Sequence, residues 1–264
     1  MLAACPWLRL RTPQGLGRLF ARLGIAYKRG RAYVHSPDPD YAAKLATVAA
    51  ARQRAQGDPQ RHVLLYLDEM TLYRQPTVAH AWAARGREQP LARRSHRRDA
   101  PTRILGALNA VTGAVHALRA EAITIPTLVR FCRRLRAAYP AAETITVALD
   151  NWSNHFHPDL LAALAPQTSP FPRYVPANWP AEPSAAAARK WGGLALPIQL
   201  LPLPTYASWT NPIEKLWRKL RQDLGHLHPF ADDLPGLRAA LDAWLVACHQ
   251  PAPELLRYVG LSHD

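Results

Sequence analysis

The stretch Leu203–Asp223 reads Leu-Pro-Thr-Tyr-Ala-Ser-Trp-Thr-Asn-Pro-Ile-Glu-Lys-Leu-Trp-Arg-Lys-Leu-Arg-Gln-Asp, and its reading decides the fold. A helix start is written into it. Asn211 can cap, Pro212 suits the first helical position, and Glu214 falls at the third. Behind them Ile213, Leu216, Trp217, Leu220 and Leu224 recur at helical spacing and make one apolar face. Arg218, Lys219 and Arg221 load the other side with positive charge. A carboxylate therefore stands at a fixed helix N-terminus, beside a core face and a basic face. Taken alone, Glu214 also reads as a capping-box carboxylate.

Working outward, Ile198–Leu201 is a short apolar run that predicts a last strand feeding this helix. Two longer runs lie upstream. His62-Val63-Leu64-Leu65-Tyr66-Leu67-Asp68 and Thr144-Ile145-Thr146-Val147-Ala148-Leu149-Asp150 are each nearly continuous in apolar residues and each close on an acid. Runs of this kind read as strands buried on both faces. Val78–Ala84 and Thr102–Asn109 are further predicted strands, the second turned at Gly113 into Ala114–Ala120. Helices are predicted over Tyr41–Gln56, Pro126–Tyr139, Pro158–Leu164, Leu234–His249 and Pro253–Val259. Antiparallel-type strands first, then alternating helix and strand, make an α/β domain with a mixed sheet.

In open α/β sheets the ends of adjacent strands and the following helix starts converge on one crevice. Asp68, Asp150 and Glu214 occupy those positions. Three carboxylates meeting there repel one another unless cations sit between them. Mg²⁺ or Mn²⁺, hard ions with oxygen ligands, suit such a set. Two ions about 4 Å apart stabilise both the attacking and the leaving oxygen of an in-line phosphoryl displacement. Singly, Asp150-Asn151 also reads as a turn and Asp68-Glu69 as a strand end. Glu69 points to the face opposite Asp68 if the strand continues, and is not expected on a metal. His155 and His157, like His226 and His228, are two apart and do not converge on a helix, although His155 is close enough to Asp150 to touch phosphate.

The 264 residues carry a net charge of +14, and the pI is about 10.3. Of 33 basic residues only five are lysines. GC-rich coding explains arginine over lysine, but not the excess of basic over acidic residues. Such a field favours a polyanion, most simply nucleic acid. Seven arginines fall between Arg85 and Arg103, and residues 1–37 hold no acid at all. Leu16, Leu19, Phe20 and Leu23 give a short helical period that Gly24 ends. A basic segment, Tyr27–His35, follows. This reads equally as the last helix and wing of a helix-turn-helix module or as a basic helix packed on the main domain. Residues 1–37 are too short for the whole of such a module, so only its second half is expected here. Cys5, Cys132 and Cys248 show no paired spacing, so a reducing cytoplasm is expected. No secretion signal is expected from the short run before Cys5, and no stretch approaches a membrane span.

Leu67-Asp68-Glu69, Leu149-Asp150-Asn151 with His155, and Pro204-Thr205-Tyr206 leading into Asn211-Pro212-Ile213-Glu214-Lys215-Leu216-Trp217 resemble the DDE transposases of the mariner-type superfamily. The bacterial insertion-sequence branch, the IS six-thirty type, is the most similar. Ala81-Trp82-Ala83 with Gly86, and Ile104-Leu105-Gly106-Ala107 with Thr112-Gly113, match it too. The resemblance spans roughly Gly15 to Leu245. It implies an RNase H-like fold with Asp68, Asp150 and Glu214 as catalytic metal ligands for Mg²⁺, with Mn²⁺ as a substitute. It implies cleavage of double-stranded DNA at terminal inverted repeats and strand transfer into a target, typically TA, by a homodimer that pairs the ends. A bacterial, cytoplasmic, nucleoid-associated protein is the corresponding expectation. DNA contacts are expected from Arg18, Arg22, Lys28, Arg29, Arg31, Arg93, Arg94, Arg97, Arg98, Lys215, Arg218 and Lys219. The division expected is a partial DNA-binding helix-turn-helix, wing and linker helix over 1–56, and a catalytic domain over 57–264.

Two departures from the family pattern are present. Sixty-three residues separate Asp150 from Glu214, roughly twice the family's usual number. The excess falls in a Pro- and Ala-rich stretch at about 166–196, expected as an irregular surface excursion. Against that pattern the DNA-binding segment is also expected to be only partial. A non-catalytic DNA-binding remnant acting as a repressor and an RNase H-like nuclease with another substrate therefore stand as alternatives.

Overall fold

The computed structural model describes residues 12–26 and 35–262. The chain forms two compact units, Met1–His35 and Ser36–Asp264. In the first, helix α1 (Pro13–Arg22) opens on Thr12, whose hydroxyl accepts from the Gly15 N–H at 3.1 Å. It ends as predicted. Gly24 takes φ +68°, its N–H donates to Ala21 O, and the Ile25 N–H donates to Phe20 O. This is the paired terminus that a left-handed glycine makes possible. Arg18 and Arg22 are exposed on it. Lys28, Arg29 and Arg31, and the basic segment expected around them, lie outside the described residues.

The second unit is built on a five-stranded sheet in the order β3-β2-β1-β4-β5. Its strands are β1 (His62–Tyr73), β2 (Pro101–Asn109), β3 (Val115–Ala120), β4 (Thr144–Leu149) and β5 (Ile198–Pro202). β1–β2 and β2–β3 pair antiparallel, while β1–β4 and β4–β5 pair parallel, which is the mixed sheet expected. Side chains alternate along β1, so Leu64, Tyr66, Met70 and Leu72 share one face. There they meet α2 (Tyr41–Gly57), α6 (Ile213–Leu220), α7 (Leu234–Ala247) and α8 (Pro253–Val259). Val63, Leu65 and Leu67 face the other way, toward α3 (Ile125–Ala138) and α4 (Pro158–Leu161). Among the described residues no helix is long and apolar enough to cross a membrane.

Three sequence expectations change. β1 does not stop at Asp68 but continues through Tyr73, pairing Asp68 with Gly106 and Tyr73 with Pro101. Val78–Ala84 is not a strand. Only Thr77 forms a bridge, to His226, and Val78 and Trp82 are 83 % and 104 % exposed. With no neighbouring strand to take their backbone groups, these residues stay in an open loop. That loop is anchored instead by Gln75, whose side chain bonds Ser95 N, Ser95 O and Arg97 O at 3.0 Å each.

The stretch 166–196 is also more than an excursion. Its neck is closed where the Ala165 N–H donates to Leu196 O and the Leu196 N–H donates to Ala163 O. Gln167 and Gln199 stitch it along the β5 edge. Phe171 packs on one face of the sheet, and Trp191 and Leu194 pack on the other. It contains a helix, α5 (Ala185–Trp191), capped by Ser184. The insertion therefore covers what would be an open sheet edge.

Ahead of α2, Asp38 and Lys44 form an ion pair at 2.7 Å with side chains only 3 % and 4 % exposed. Burial raises the Asp38 pKa, but Lys44 and the N–H groups of Thr205 and Asp40 outweigh it and hold the carboxyl down at about 2. Lys44→Ala would leave that carboxylate buried without its cation, held only by the Thr205 and Asp40 N–H groups, at a cost of about 3 kcal/mol. The expected result is a large fall in the urea midpoint at neutral pH. Because the Asp38 pKa is depressed, its contribution is present above 3.8 and lost as pH falls toward 2. The deficit of the variant should therefore shrink in acid, and an unchanged deficit at low pH would contradict this account.

Candidate active site

The parallel β1–β4 register pairs Tyr66 with Ala148. Carried two residues further along each strand, it sets Asp68 abreast of Asp150. The α6 helix, which follows β5, brings Glu214 to the same place. All three line one pocket of about 460 Å³ together with Asn151, Trp152, Tyr174, Thr205, Tyr206 and Asn211. Their oxygens are not drawn into a tight cluster. Among the described residues the three acidic or histidine groups with ligand atoms within 4.8 Å of one another are Glu69, Asp150 and His155.

Asp68 is held by Trp217, whose Nε1–H donates to Asp68 Oδ2 at 3.0 Å. The indole is fully buried and lies over β2 at Gly106. A Cβ there would come within 2.4 Å of the ring. An isolated glycine in an apolar strand marks such a close approach. Burial raises the Asp68 pKa, and the charges of Glu214, Glu69 and Asp150 raise it further, to about 8.

Asn211 behaves differently from expectation. It is the last extended residue before Pro212, which is already helical at φ −59° and ψ −28°. Its side chain does not cap α6. The amide donates across to Leu67 O at 3.1 Å and so ties the helix start to β1 one residue before Asp68. Its Oδ1 is buried with no protein partner. Asn151 makes a parallel tie from the end of β4, donating to Leu203 O at 2.8 Å and Thr205 Oγ1 at 3.3 Å.

Asp150 is 57 % exposed, and its Oδ1 accepts the Trp152 N–H at 3.0 Å. His155, by contrast, is 2 % exposed, so it is not a phosphate contact. Its Nε2 lies 2.9 Å from Glu69 Oε1. Its Nδ1 lies 3.2 Å from Asp150 Oδ1, near enough for an ion pair but without hydrogen-bond alignment. Burial lowers the His155 pKa, but the two carboxylates outweigh it and raise it. Burial likewise raises the Asp150 pKa, and His155 with the Trp152 N–H brings it below the usual carboxylate value. Glu69, on the face opposite Asp68 as expected, thus braces Asp150 through the buried His155 ring.

Arg93, Arg94, Arg97 and Arg98 are exposed on the β1–β2 loop, and Lys215, Arg218 and Lys219 on α6. Two of these are engaged: Lys215 Nζ donates to Val259 O at 2.9 Å, and Lys219 Nζ to Asp223 Oδ2 at 2.9 Å. Sequence reasoning missed Trp152 and Tyr174 at the pocket, and the roles of three residues it had named: Gly106 under the indole, Tyr206 on the pocket wall and Asn211 across to β1. Gly106 and Tyr206 lay inside the quoted motifs, while nothing local marked Trp152 or Tyr174.

Residues 63–235 match the family model described as DDE superfamily endonuclease. The "Insertion element IS630 uncharacterized 39 kDa protein" of Shigella sonnei is 21 % identical over 205 residues, 78 % of this chain. The chain spans 50 % of the length of that curated relative. Among solved structures, the "Mos1 transposase paired-end complex with left transposon end" has a TM-score of 0.59 at 16 % identity, covering 98 % of this chain and 69 % of that one. The "mariner Mos1 paired end complex with Mg" has a TM-score of 0.58 at 14 % identity, covering 98 % and 71 %. The sheet and its helices thus share the RNase H-like fold of those transposases.

Proposed function

The chain belongs to the DDE superfamily endonuclease family, and on that premise we propose that it is a transposase that cleaves DNA at transposon ends and joins them to a target. The observation that carries this reading is the convergence of Asp68, Asp150 and Glu214 on one pocket, in a chain of net charge +14. Divalent metal suits the donor set. Burial raises the Asp68 pKa and its acidic neighbours raise it further, a repulsion that a cation between them would relieve, and Asn211 Oδ1 stands buried and unpaired at the pocket wall. Asp68, Asp150 and Glu214 would hold Mg²⁺, or Mn²⁺ in its place, and the bound ion would stabilise charge on the attacking and leaving oxygens.

The chain's own residues hold the geometry. Trp217 orients Asp68, the Glu69–His155 pair braces Asp150, and Asn211 fixes the start of the helix that carries Glu214. In the first step a water oxygen attacks phosphorus, the P–O3′ bond breaks, and the 3′ oxygen leaves as a hydroxyl. In the second, that hydroxyl attacks a target phosphate, breaking the target's own P–O3′ bond. The exposed arginines of α1 and of the β1–β2 loop, with Arg218, supply backbone contacts. A homodimer pairing two terminal repeats, and insertion at TA, complete the proposal.

The test is nicking of terminal-repeat DNA by wild type and Asp150→Ala, with Mg²⁺ and with chelator. Wild type should nick only with the metal, and the variant not at all. Equal nicking by both proteins would remove the catalytic assignment.

A further inference from the structure

Around the carboxylate pocket stand three aromatic side chains from three separate segments: Trp152 after β4, Tyr174 from the 166–196 insertion, and Tyr206 between β5 and α6. The two tyrosines are unusually open, at 73 % and 78 % exposed. Tyr206 takes φ +53°, a conformation L-residues rarely adopt. The turn is held there by its predecessor. The Thr205 N–H donates to Asp38 Oδ2 at 2.8 Å, and the Thr205 carbonyl accepts from Ser36 Oγ. A strained backbone held through both peptide groups of its predecessor, with its ring turned out to solvent, indicates a site built to present that ring. Tyr174 makes the same point from another direction. The insertion is anchored along β5 yet reaches the pocket with a single large aromatic.

Resting on the endonuclease reading above, we propose that Tyr174 and Tyr206, with Trp152, stack unpaired nucleobases flanking the phosphate held in the carboxylate pocket. A paired duplex offers base edges in its grooves, and its base faces are covered by neighbouring pairs. Open aromatic faces beside a phosphate-cutting pocket therefore match bases that have left the stack, which costs least at a frayed or mismatched position. Stacking is tolerant of sequence because every base has a π-face. The insertion thereby becomes a substrate-contacting element, and the preferred DNA is one melted next to the scissile bond.

The experiment compares binding of two DNA hairpins of identical stem, one blunt and one with an unpaired tail, by fluorescence anisotropy with Ca²⁺ in place of Mg²⁺. Wild type should prefer the tailed hairpin. Tyr174→Ala and Tyr206→Ala should each weaken that hairpin about tenfold and leave the blunt one unchanged. Tyr174→Phe and Tyr206→Phe, which keep the ring, should stay within about twofold of wild type. Equal binding of both hairpins by wild type would overturn the proposal. So would a loss in the Phe variants as large as in the Ala variants. The tyrosines are exposed, so truncation leaves the core intact, and circular dichroism checks this. Nicking is read separately: nicking without tail preference removes the stacking site alone, and tail preference without nicking removes the endonuclease reading alone.

Discussion

Replacing Asp68 with asparagine is expected to abolish metal-dependent nicking and, in the same protein, to raise the melting temperature of the metal-free fold. Both effects have one cause. Burial and the charges of Glu214, Glu69 and Asp150 lift the Asp68 pKa from 3.8 to about 8. For an acid whose folded pKa is raised, the folded state binds the proton more tightly than the unfolded chain. Its stabilising contribution is complete below 3.8 and lost as pH rises through about 8. Metal-free wild type should therefore melt at a higher temperature near pH 5 than near pH 9. Asparagine keeps the shape and still accepts the Trp217 Nε1–H through its own carbonyl, but removes the charge. The variant should show a flatter pH profile and a melting temperature several degrees higher at neutral pH. Mg²⁺ should stabilise wild type more than the variant, because the cation acts on the charge that has been removed. Loss of a carboxylate proposed to hold the metal should cut the nicking rate at least about a thousandfold, equivalent to about 4 kcal/mol. A flat wild-type profile in scanning calorimetry, or normal nicking by the variant, would contradict this account.

Gly106→Ala should be among the most damaging single-methyl changes in the chain. The added carbon would fall 2.4 and 2.6 Å from two atoms of the Trp217 indole and 3.4 Å from Ile213 Cδ1. The ring is fully buried and cannot swing into solvent. Overpacking of this kind costs about 1–3 kcal/mol, and a displaced indole also loses its bond to the Asp68 carboxyl, worth about 0.5–1.5 kcal/mol for a group mostly protonated at neutral pH. The expected loss is about 2–4 kcal/mol in urea unfolding, with nicking reduced because Asp68 is no longer oriented. Trp217→Phe in the same chain relieves the clash. The double variant should therefore be more stable than the sum of the two single losses predicts. A Gly106→Ala protein with wild-type stability and activity would show that the sheet yields where it is taken to be rigid.

The sequence by itself determined the mixed sheet, the two strands that lead to Asp68 and Asp150, and the helix that carries Glu214. It could do so because those elements are declared by local periodicity: continuous apolar runs for strands buried on both faces, and a 3.6-residue apolar stripe behind Asn-Pro for the helix. Convergence of the acids on one pocket was expected from the rule that strand ends and following helix starts share a crevice, and the order β1-β4-β5 in the structure places them there. What periodicity cannot express is a bond between residues far apart in the chain. Asn211 looked like a cap because its neighbours on the chain are helical, but its partner is the Leu67 carbonyl, 144 residues away. His155 was expected beside Asp150 in reach of phosphate, yet it is buried between Glu69 and Asp150. Val78–Ala84 had a strand's composition but no strand to pair with, since pairing belongs to the sheet and not to the segment. The Pro-rich insertion had no period to read. Only the tertiary structure brought it along the β5 edge and set Tyr174 at the mouth of the acidic pocket, because edge cover and pocket walls are made by contacts that no local pattern records.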